Sequence, residues 1–297
     1  MQIIDSINGI RQVLKTFKKS NFQIGFVPTM GALHDGHLSL IREARKENDV
    51  VAVSIFVNPL QFGENEDFHH YPRPFENDRL LLSKEKVDIL FYPGKEEIYP
   101  ETFSTSISIK KLENKLCGKS RPGHFSGVAT IVLKLFNIVK PDVVYFGQKD
   151  FQQTVIIKKM VSDLNVDTKI KVLPIVRDKD GLALSSRNAY LNNDERKEAL
   201  CLFKALTKAK IMIDSGVTIS GEIVNEMKCT IKEYKLARVD YISIVDKNTL
   251  EDVEYAKSGD VIALAVKIRN TRLIDNLIIP SLLFILYTIT LLLKDSI

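Results

Sequence analysis

Two histidines three residues apart, His34 and His37, are the side chains of this sequence best suited to chemistry on phosphate. They lie between an apolar, β-leaning segment that ends at Val27 and an amphipathic segment that runs from Leu38 to Glu47. A helix N-terminus in this position offers unpaired N–H groups and a partial positive charge, and both favour phosphate. Imidazoles there can donate hydrogen bonds to phosphate oxygens as charge builds at a breaking P–O bond.

The same turn contains two glycines, Gly31 and Gly36, which let the backbone approach a ligand closely. The H-x-G-H arrangement is typical of nucleotidyl-transferring α/β enzymes. The alternative is a pair of ordinary surface histidines near a turn. The setting between a strand and a helix favours the functional interpretation.

A second polar segment follows the predicted strand Val50–Val57 and contains Asn58 and Gln61. Their uncharged amides both donate and accept, which suits recognition of hydroxyl and carboxylate groups. Taken alone, the two residues are more typical of the capping of a turn. We predict that they contact a substrate.

A third segment, Gly147 to Gln153, follows the predicted strand Val143–Phe146 and opens a helix. Lys149 can pair with phosphate, Asp150 can accept from ribose hydroxyls, and Gln153 lies one helical turn further on the same face. A solvated start to a helix is the alternative for this segment.

Hydroxyl groups and cations cluster in two further loops. Ser185, Ser186 and Arg187 supply two hydroxyls and a guanidinium in succession, a suitable grip for a triphosphate, although a surface loop has the same composition. Arg121 and His124 place a cation and an imidazole where another helix begins.

The elements that must position these residues alternate between short apolar runs and amphipathic segments. This alternation predicts an α/β fold with a Rossmann-like, doubly wound parallel sheet, in which ligands bind beyond the carboxyl ends of the strands where strand order reverses. The predicted strands are Ile24–Val27, Val50–Val57, Ile89–Tyr92, Val143–Phe146 and Lys171–Val176. The predicted helices are Ser39–Glu47, Glu76–Glu85, Ser126–Val139 and Phe151–Leu164.

The pattern changes near residues 176–187, where we predict the start of a smaller C-terminal α+β domain. We place the first domain at 1–176, the second at 177–277 and an apolar tail at 278–297. The second domain is predicted to contain helices Asn193–Ser215 and Ile219–Tyr234 and strands Val239–Val245 and Val261–Ile268.

The tail is apolar, because no charged residue occurs from Leu277 to Leu293. Its length is at the lower limit for crossing a bilayer. A membrane anchor, a helix packed on the body or at a dimer interface, and an artefact of the sequence or its reading frame all remain open.

Composition places the chain among ordinary globular proteins, with 297 residues, 45% hydrophobic residues and a net charge of +5. This modest charge fits an enzyme of anionic metabolites, and the absence of dense Lys/Arg runs argues against nucleic acid. The three cysteines are far apart and suggest neither zinc nor a disulfide framework, which favours a reducing, cytoplasmic location. We find no signal peptide, no Walker P-loop, no nucleophile elbow and no G-x-G-x-x-G fingerprint.

The combined motifs resemble the pantothenate synthetase (pantoate–β-alanine ligase) family over residues 1–277. The resemblance is carried, in the family's order, by VPTMGALHDGH (27–37), VNPLQF (57–62), RPGHFSGV (121–128), FGQKDFQQ (146–153) and LSSRN (184–188). The family condenses pantoate with β-alanine through a pantoyl adenylate, consuming ATP and releasing AMP and pyrophosphate. The resemblance therefore implies ATP as a substrate, Mg²⁺ as its companion and a homodimer.

The resemblance also implies roles for individual residues. Catalysis is assigned to His37, as proton donor, with His34, Lys149 and Arg187. Pantoate and β-alanine are assigned to Gln61, Gln153 and Asn58, and the metal to Asp78. The implied ATP contacts are Met30, Gly31, Ala32, Leu33, His34, Asp35, Gly36, His37, Gly147, Gln148, Lys149, Asp150, Val176, Leu184, Ser185, Ser186 and Arg187.

Two positions depart from the family pattern. Gln148 stands where the family usually has Glu, which removes one negative charge beside the nucleotide, and Leu184 stands where Met is common, a volume-conserving change. The tail has no counterpart in the pattern.

Two other functions compete with this one. Another H-x-G-H nucleotidyltransferase would need added Arg or Lys for a phosphorylated acceptor, whereas Gln61 and Gln153 suit hydroxyls and a single carboxylate. A membrane-tethered nucleotide-binding protein without turnover has support only from the tail and from Gln148. Formation of AMP that requires both pantoate and β-alanine would separate the three.

Overall fold

The structure, a computed structural model, describes residues 1–64 and 66–281, which contain the strands and helices that follow. The strands are β1 (Gln2–Ile4), β2 (Ile24–Thr29), β3 (Val50–Ile55), β4 (Ile89–Phe91), β5 (Val143–Gly147), β6 (Lys169–Leu173), β7 (Ala237–Val245), β8 (Val261–Ile268) and β9 (Thr271–Ile278). The helices are α1 (Ile7–Lys19), α2 (Asp35–Glu47), α3 (Phe75–Lys84), α4 (Lys95–Ile98), α5 (Cys117–Ser120), α6 (His124–Val139), α7 (Phe151–Asp163), α8 (Asn193–Glu198), α9 (Cys201–Asp214) and α10 (Ser220–Lys232).

Strands β1 to β6 form one parallel sheet in the order β1-β4-β3-β2-β5-β6. The central strand β3, with the sequence VVAVSI, is buried at every position, as expected for a parallel strand that is covered on both faces. Strand order runs one way from β2 through β3 to β4 and the other way from β2 through β5 to β6. The carboxyl ends of β2 and β5 therefore flank the topological switch point, where α/β sheets bind ligands.

The chain divides into two compact units. The first contains residues 1–114, 118–178 and 183–189 and holds the parallel sheet. The second contains residues 115–117, 179–182 and, within the described part, 190–281. Its antiparallel sheet, in the order β7-β8-β9, packs with α9 and α10 around a core that includes Leu202, Ile223, Met227, Leu264 and Ile279. The predicted fold class, a doubly wound α/β sheet with a smaller α+β part, is confirmed.

Several predicted elements differ from those observed. One predicted helix, Asn193–Ser215, is two helices, because Leu200 N donates to Lys197 O and Leu202 N to Ala199 O in a tighter turn. The last strand of the parallel sheet ends at Leu173 and not at Val176, since Pro174 cannot donate to the ladder.

The structure corrects the predicted start of the apolar tail at residue 278. Leu277 and Ile278 complete β9, and Ile279, 3% exposed, exchanges backbone hydrogen bonds with Gly259 and Asp260. Residues 282–297, on which the rest of that prediction falls, lie outside the described part of the chain. Across residues 1–64 and 66–281, none of the helices has the length and apolar character needed to cross a bilayer.

Candidate active site

The H-x-G-H segment begins at the carboxyl end of β2 with a tight turn. Gly31 has φ of +80°, and its N–H donates to the Thr29 hydroxyl over 3.1 Å. The buried carboxylate of Asp78, on α3, accepts from the N–H groups of Ala32 and Leu33, both at 2.8 Å. Asp78 therefore fixes the backbone that leads into the two histidines.

His34 and His37 hold each other in place at the N-terminus of α2. His34 is the N-cap residue, and its Nδ1 accepts from Gly36 N at 3.1 Å. His37 Nδ1 accepts from His34 N at 3.4 Å, and the two ring centroids lie 4.1 Å apart. Because each Nδ1 is an acceptor, each neutral ring carries its proton on Nε2.

Burial and charge keep both imidazoles neutral. Burial lowers the pKa of His34 to about 4, and nearby Lys149 acts in the same direction. Burial, His34 and Lys149 hold the pKa of His37 well below its ordinary value. Near neutral pH the pair consequently offers Nε2–H groups as hydrogen-bond donors without a positive charge of its own.

Lys149 supplies the positive charge from the neighbouring strand of the switch point. It lies two residues after the end of β5, its side chain is 19% exposed, and its Nζ lies 3.7 Å from Asp150 Oδ1. Its effect on the pKa of both histidines is that of a cation close to the imidazole pair. The structure thus brings the H-x-G-H and FGQKDFQQ motifs together.

Arg187 is held by a carboxylate that the sequence did not reveal. Its Nε and Nη2 donate to the two oxygens of Asp67, at 3.0 and 2.8 Å, and its guanidinium lies 5.9 Å from the centre of the Tyr71 ring. Ser186 donates its hydroxyl to Ala32 O at 3.2 Å. The LSSRN segment is therefore tied to the turn after β2.

Gln61 is fixed by a separate polar cluster. His124 donates from Nδ1 to Gln61 O at 2.7 Å, and its Nε2 accepts from Arg121 Nη1 at 3.0 Å. Arg121 also makes a two-pronged pair with Glu66, at 2.6 and 2.5 Å. Burial is the main cause that lowers the pKa of His124 to about 4, and the charge of Arg121 is the second cause. A neutral imidazole is consistent with the bonds that His124 makes here.

These groups surround one cleft of about 230 Å³ within the first unit. Its lining includes the predicted site residues Met30, His34, Gly36, His37, Asn58, Gln61, Gly147, Lys149, Asp150, Gln153, Val176, Leu184, Ser185, Ser186 and Arg187. Sequence reasoning did not assign Tyr71, Arg121 or His124 to the site, although all three line it. The RPGHFSGV motif signalled Arg121 and His124, whereas Tyr71 lies in an irregular loop with no such signal.

Other predicted site residues do not line this cleft. Leu33 is 7% exposed and belongs to the core, and the Asp35 carboxylate is exposed and lies 3.8 Å from Arg42. Gly31, Ala32, Gln148 and Asp78 complete this group. The backbone of 31–33 shapes the turn, so the structure gives these residues a supporting place in it.

Asn58 lines the cleft as predicted, but its polar atoms are bonded to other protein groups. It is 1% exposed, and its amide is engaged by Tyr99, Gly127 and Gln61. A side chain with its polar atoms committed in this way orients its neighbours, and direct substrate binding by Asn58 finds no support in this geometry.

Each oxygen of Asp78 accepts one backbone N–H, so the structure gives this carboxylate a role in fixing the turn, and its role as a magnesium ligand stays a prediction. In the described part of the chain, no three or more His, Cys, Asp or Glu side chains gather into a group that could hold a metal ion. Mg²⁺ commonly arrives with substrate phosphates and one or two carboxylates, so ATP itself would be its principal carrier.

Comparison with known proteins identifies the family to which the chain belongs. The family model for pantoate-beta-alanine ligase matches residues 2–278. The chain belongs to the pantoate–β-alanine ligase family. The resemblance inferred from the five motifs is thereby confirmed.

Curated relatives and solved structures agree with this family membership. The chain is 52% identical to the pantothenate synthetase of Caldicellulosiruptor bescii, over 95% of this chain and 100% of that one. It is 53% identical to that of Sulfurihydrogenibium sp., over 93% and 99% of the two chains.

Two crystal structures share the fold. Pantothenate synthetase from Thermus thermophilus has a TM-score of 0.90 and 42% identity, over 94% of this chain and 100% of that one. The ligase from Francisella tularensis, complexed with beta-gamma ATP and beta-alanine, has a TM-score of 0.79 and 41% identity, over 94% and 97% of the two chains.

Proposed function

We propose that the switch-point cleft condenses pantoate with β-alanine at the expense of ATP. A pantoate carboxylate oxygen attacks the α-phosphorus, the bond to the bridging oxygen breaks, and pyrophosphate leaves. The amine of β-alanine then attacks the acyl carbon of the pantoyl adenylate, the C–O bond to AMP breaks, and the amine loses a proton.

The observation that carries this proposal is the juxtaposition of His34, His37 and Lys149 at one switch point. Two neutral imidazoles with Nε2–H groups and one ammonium can stabilise charge that grows on phosphate oxygens during displacement. The low pKa of His37 favours hydrogen-bond donation over transfer of its proton in the resting enzyme. We assign the first step to this trio.

Gln61 and Gln153 are the proposed pantoate ligands, because both line the same cleft and carry no charge. The two arginines of the cleft, Arg121 and Arg187, are each paired with a carboxylate, Glu66 or Asp67. This neutralisation favours an acceptor with hydroxyls and one carboxylate over a phosphorylated acceptor, and so favours the ligase over another nucleotidyltransferase.

The remaining cleft residues are proposed to hold ATP. Met30, His34, Gly36 and His37 follow β2, Gly147, Lys149 and Asp150 lie at or just after the end of β5, and Val176 and residues 184–187 also line the cleft. Mg²⁺ as a companion of ATP, cytoplasmic location and a homodimer stay predictions from family resemblance.

The test is formation of AMP and pyrophosphate by the purified chain. We expect AMP only when pantoate, β-alanine and ATP are all present, with pantothenate formed in equal amount. Continuous formation of AMP in the absence of β-alanine would reject the proposal. Formation of AMP with a phosphorylated acceptor in place of pantoate would also reject it.

A further inference from the structure

A chain of side-chain hydrogen bonds leads from Tyr99 through Asn58 to Gln61. Tyr99 lies at the end of α4, and its hydroxyl donates to Asn58 Oδ1 at 2.8 Å. Asn58 Nδ2 donates to Gln61 Oε1 at 3.1 Å, and Gln61 Nε2 donates to Met30 Sδ at 3.0 Å. All four residues belong to the first unit.

The orientation of the Asn58 amide is unambiguous. Its Nδ2 faces Gly127 O, which can only accept, and its Oδ1 faces Leu60 N, which can only donate, at 3.1 and 3.4 Å. The hydrogen bond from Leu60 N is long, so the bond from the Tyr99 hydroxyl is the shorter of the two. Both reach the side-chain carbonyl of Asn58, which is almost fully buried.

The Tyr99 hydroxyl is the donor in its bond to Asn58 Oδ1. The residue is 9% exposed, and burial raises its pKa well above the ordinary tyrosine value, so its hydroxyl keeps the proton. The rings of Phe56 and Phe103, with centroids at 6.0 and 4.9 Å, surround the Tyr99 ring and fix it.

The consequence reaches the cleft through Gln61. Asn58 Nδ2 requires the oxygen of the Gln61 amide, so the Gln61 Nε2 donor is the end presented toward Met30 and the cleft. Thioether sulfur is a weak acceptor, so a substrate oxygen can replace it at little cost.

We propose that Tyr99 is a positioning residue, which acts through Asn58 to hold the Gln61 amide with its N–H end facing pantoate. Without the Tyr99 hydroxyl, a buried amide carbonyl keeps only one long bond, and the Asn58 amide loosens. The Gln61 amide then rotates part of the time and presents an oxygen to the carboxylate and hydroxyl oxygens of pantoate. This inference rests on the proposed function for the identity of the ligand.

The test compares Tyr99→Phe, which removes one oxygen atom, with the matched control Tyr92→Phe. Tyr92 is 38% exposed, and its ring stacks on that of Phe75 with the centroids 4.4 Å apart. It is not a member of the hydrogen-bond chain from Tyr99 to Gln61. We expect Y99F to raise the pantoate KM, and the dissociation constant from calorimetry without ATP, about tenfold, as loss of a well-made hydrogen bond to a charged ligand does. The ATP KM and kcat should change little, the melting temperature should fall by a few degrees because a buried hydrogen bond is lost, and Y92F should match the parent chain.

A second variant and a double variant establish the route. Asn58→Asp keeps the acceptor for Tyr99 but removes the donor to Gln61 Oε1, so we expect a larger loss of pantoate affinity. In a Gln61→Ala background, Y99F should have no further effect, because the residue through which it acts is gone.

Several results would overturn the inference. Unchanged pantoate affinity in Y99F would do so. Equal losses of affinity for pantoate and for ATP, or full additivity of Y99F with Q61A, would do so as well. Failure of the parent chain to bind pantoate would overturn the proposed function as well, and only that result removes both.

Discussion

Gly127 on α6 lies against the backbone of Leu60 so closely that a Cβ atom there would be 2.2 Å from the Leu60 carbonyl oxygen. The same Cβ would be 2.7 Å from Gln61 N. Helix α6 can therefore support the turn Pro59–Gln61 only through a glycine at this position. The presentation of Gln61 to the cleft depends on this backbone contact.

Gly127→Ala is expected to displace Gln61 and to cost about 1–3 kcal/mol of stability, since neither backbone can give way cheaply. Pantoate affinity should fall more than ATP affinity. Gly221→Ala on α10 is the control, because no atom lies within 4 Å of its Cβ, and it should be neutral or stabilising by about 0.5–1 kcal/mol. Chemical unfolding and substrate titration measure both. Wild-type pantoate affinity in G127A would show that the turn tolerates displacement.

His37→Ala is expected to fold normally and to lose most adenylation. Removing a hydrogen-bond donor to developing charge typically costs about 2.7–4 kcal/mol, roughly a hundred- to a thousandfold in rate. The exposed His69 provides a control, and His69→Ala should retain full activity. Near-normal pyrophosphate release by H37A would exclude His37 from the first step.

The depressed pKa values of the buried histidines predict how stability depends on pH. His34 and His124 titrate near pH 4 in the folded chain but near 6.5 when unfolded, so the unfolded chain binds more protons between these values. Their contribution to stability is present above pH 6.5 and is lost as pH falls toward 4. Urea midpoints at a series of pH values should fall over this window.

The variant that checks this assignment is His124→Gln. Its midpoint should depend less steeply on pH between 6.5 and 4, because one of the titrating groups is absent. An unchanged slope would mean that other groups govern acid unfolding.

The C-terminal boundary of the second unit can be tested by truncation. A chain that ends at Ser281 keeps Ile279, its backbone bonds and every cleft residue, so we expect normal activity. A chain that ends at Leu277 loses the buried Ile279 side chain, and we expect about 2–5 kcal/mol of destabilisation, as for large core deletions. Thermal melting compares the two. Loss of turnover in the Ser281 chain, with folding intact, would place part of the active structure beyond residue 281.

The sequence indicated most of the parallel sheet because its strands are short, apolar and separated by amphipathic helices. Strand β1 was missed because three residues carry too little pattern. Strand β9 was missed because Asp275 and Asn276, both buried, interrupt its apolar alternation. The gap between α8 and α9 was invisible because Ala199 and Leu200 are good helix formers.

The site was predictable where a motif follows a strand, as for His34, His37 and Lys149. It was not predictable where side chains from distant segments decide the role of a residue. Tyr99 and Gly127 determine what Asn58 does, and Asp67 determines where Arg187 lies. Neither partnership has a spacing that a linear sequence reveals, because each depends on the folded arrangement of strand ends and loops.

Pantoate-dependent exchange of labelled pyrophosphate into ATP, in the absence of β-alanine, tests the central claim most directly. If the switch-point cleft forms a pantoyl adenylate, exchange requires pantoate, proceeds without the amine and is lost in H37A. Exchange that needs β-alanine, that occurs without pantoate, or that survives the loss of His37 would contradict the account.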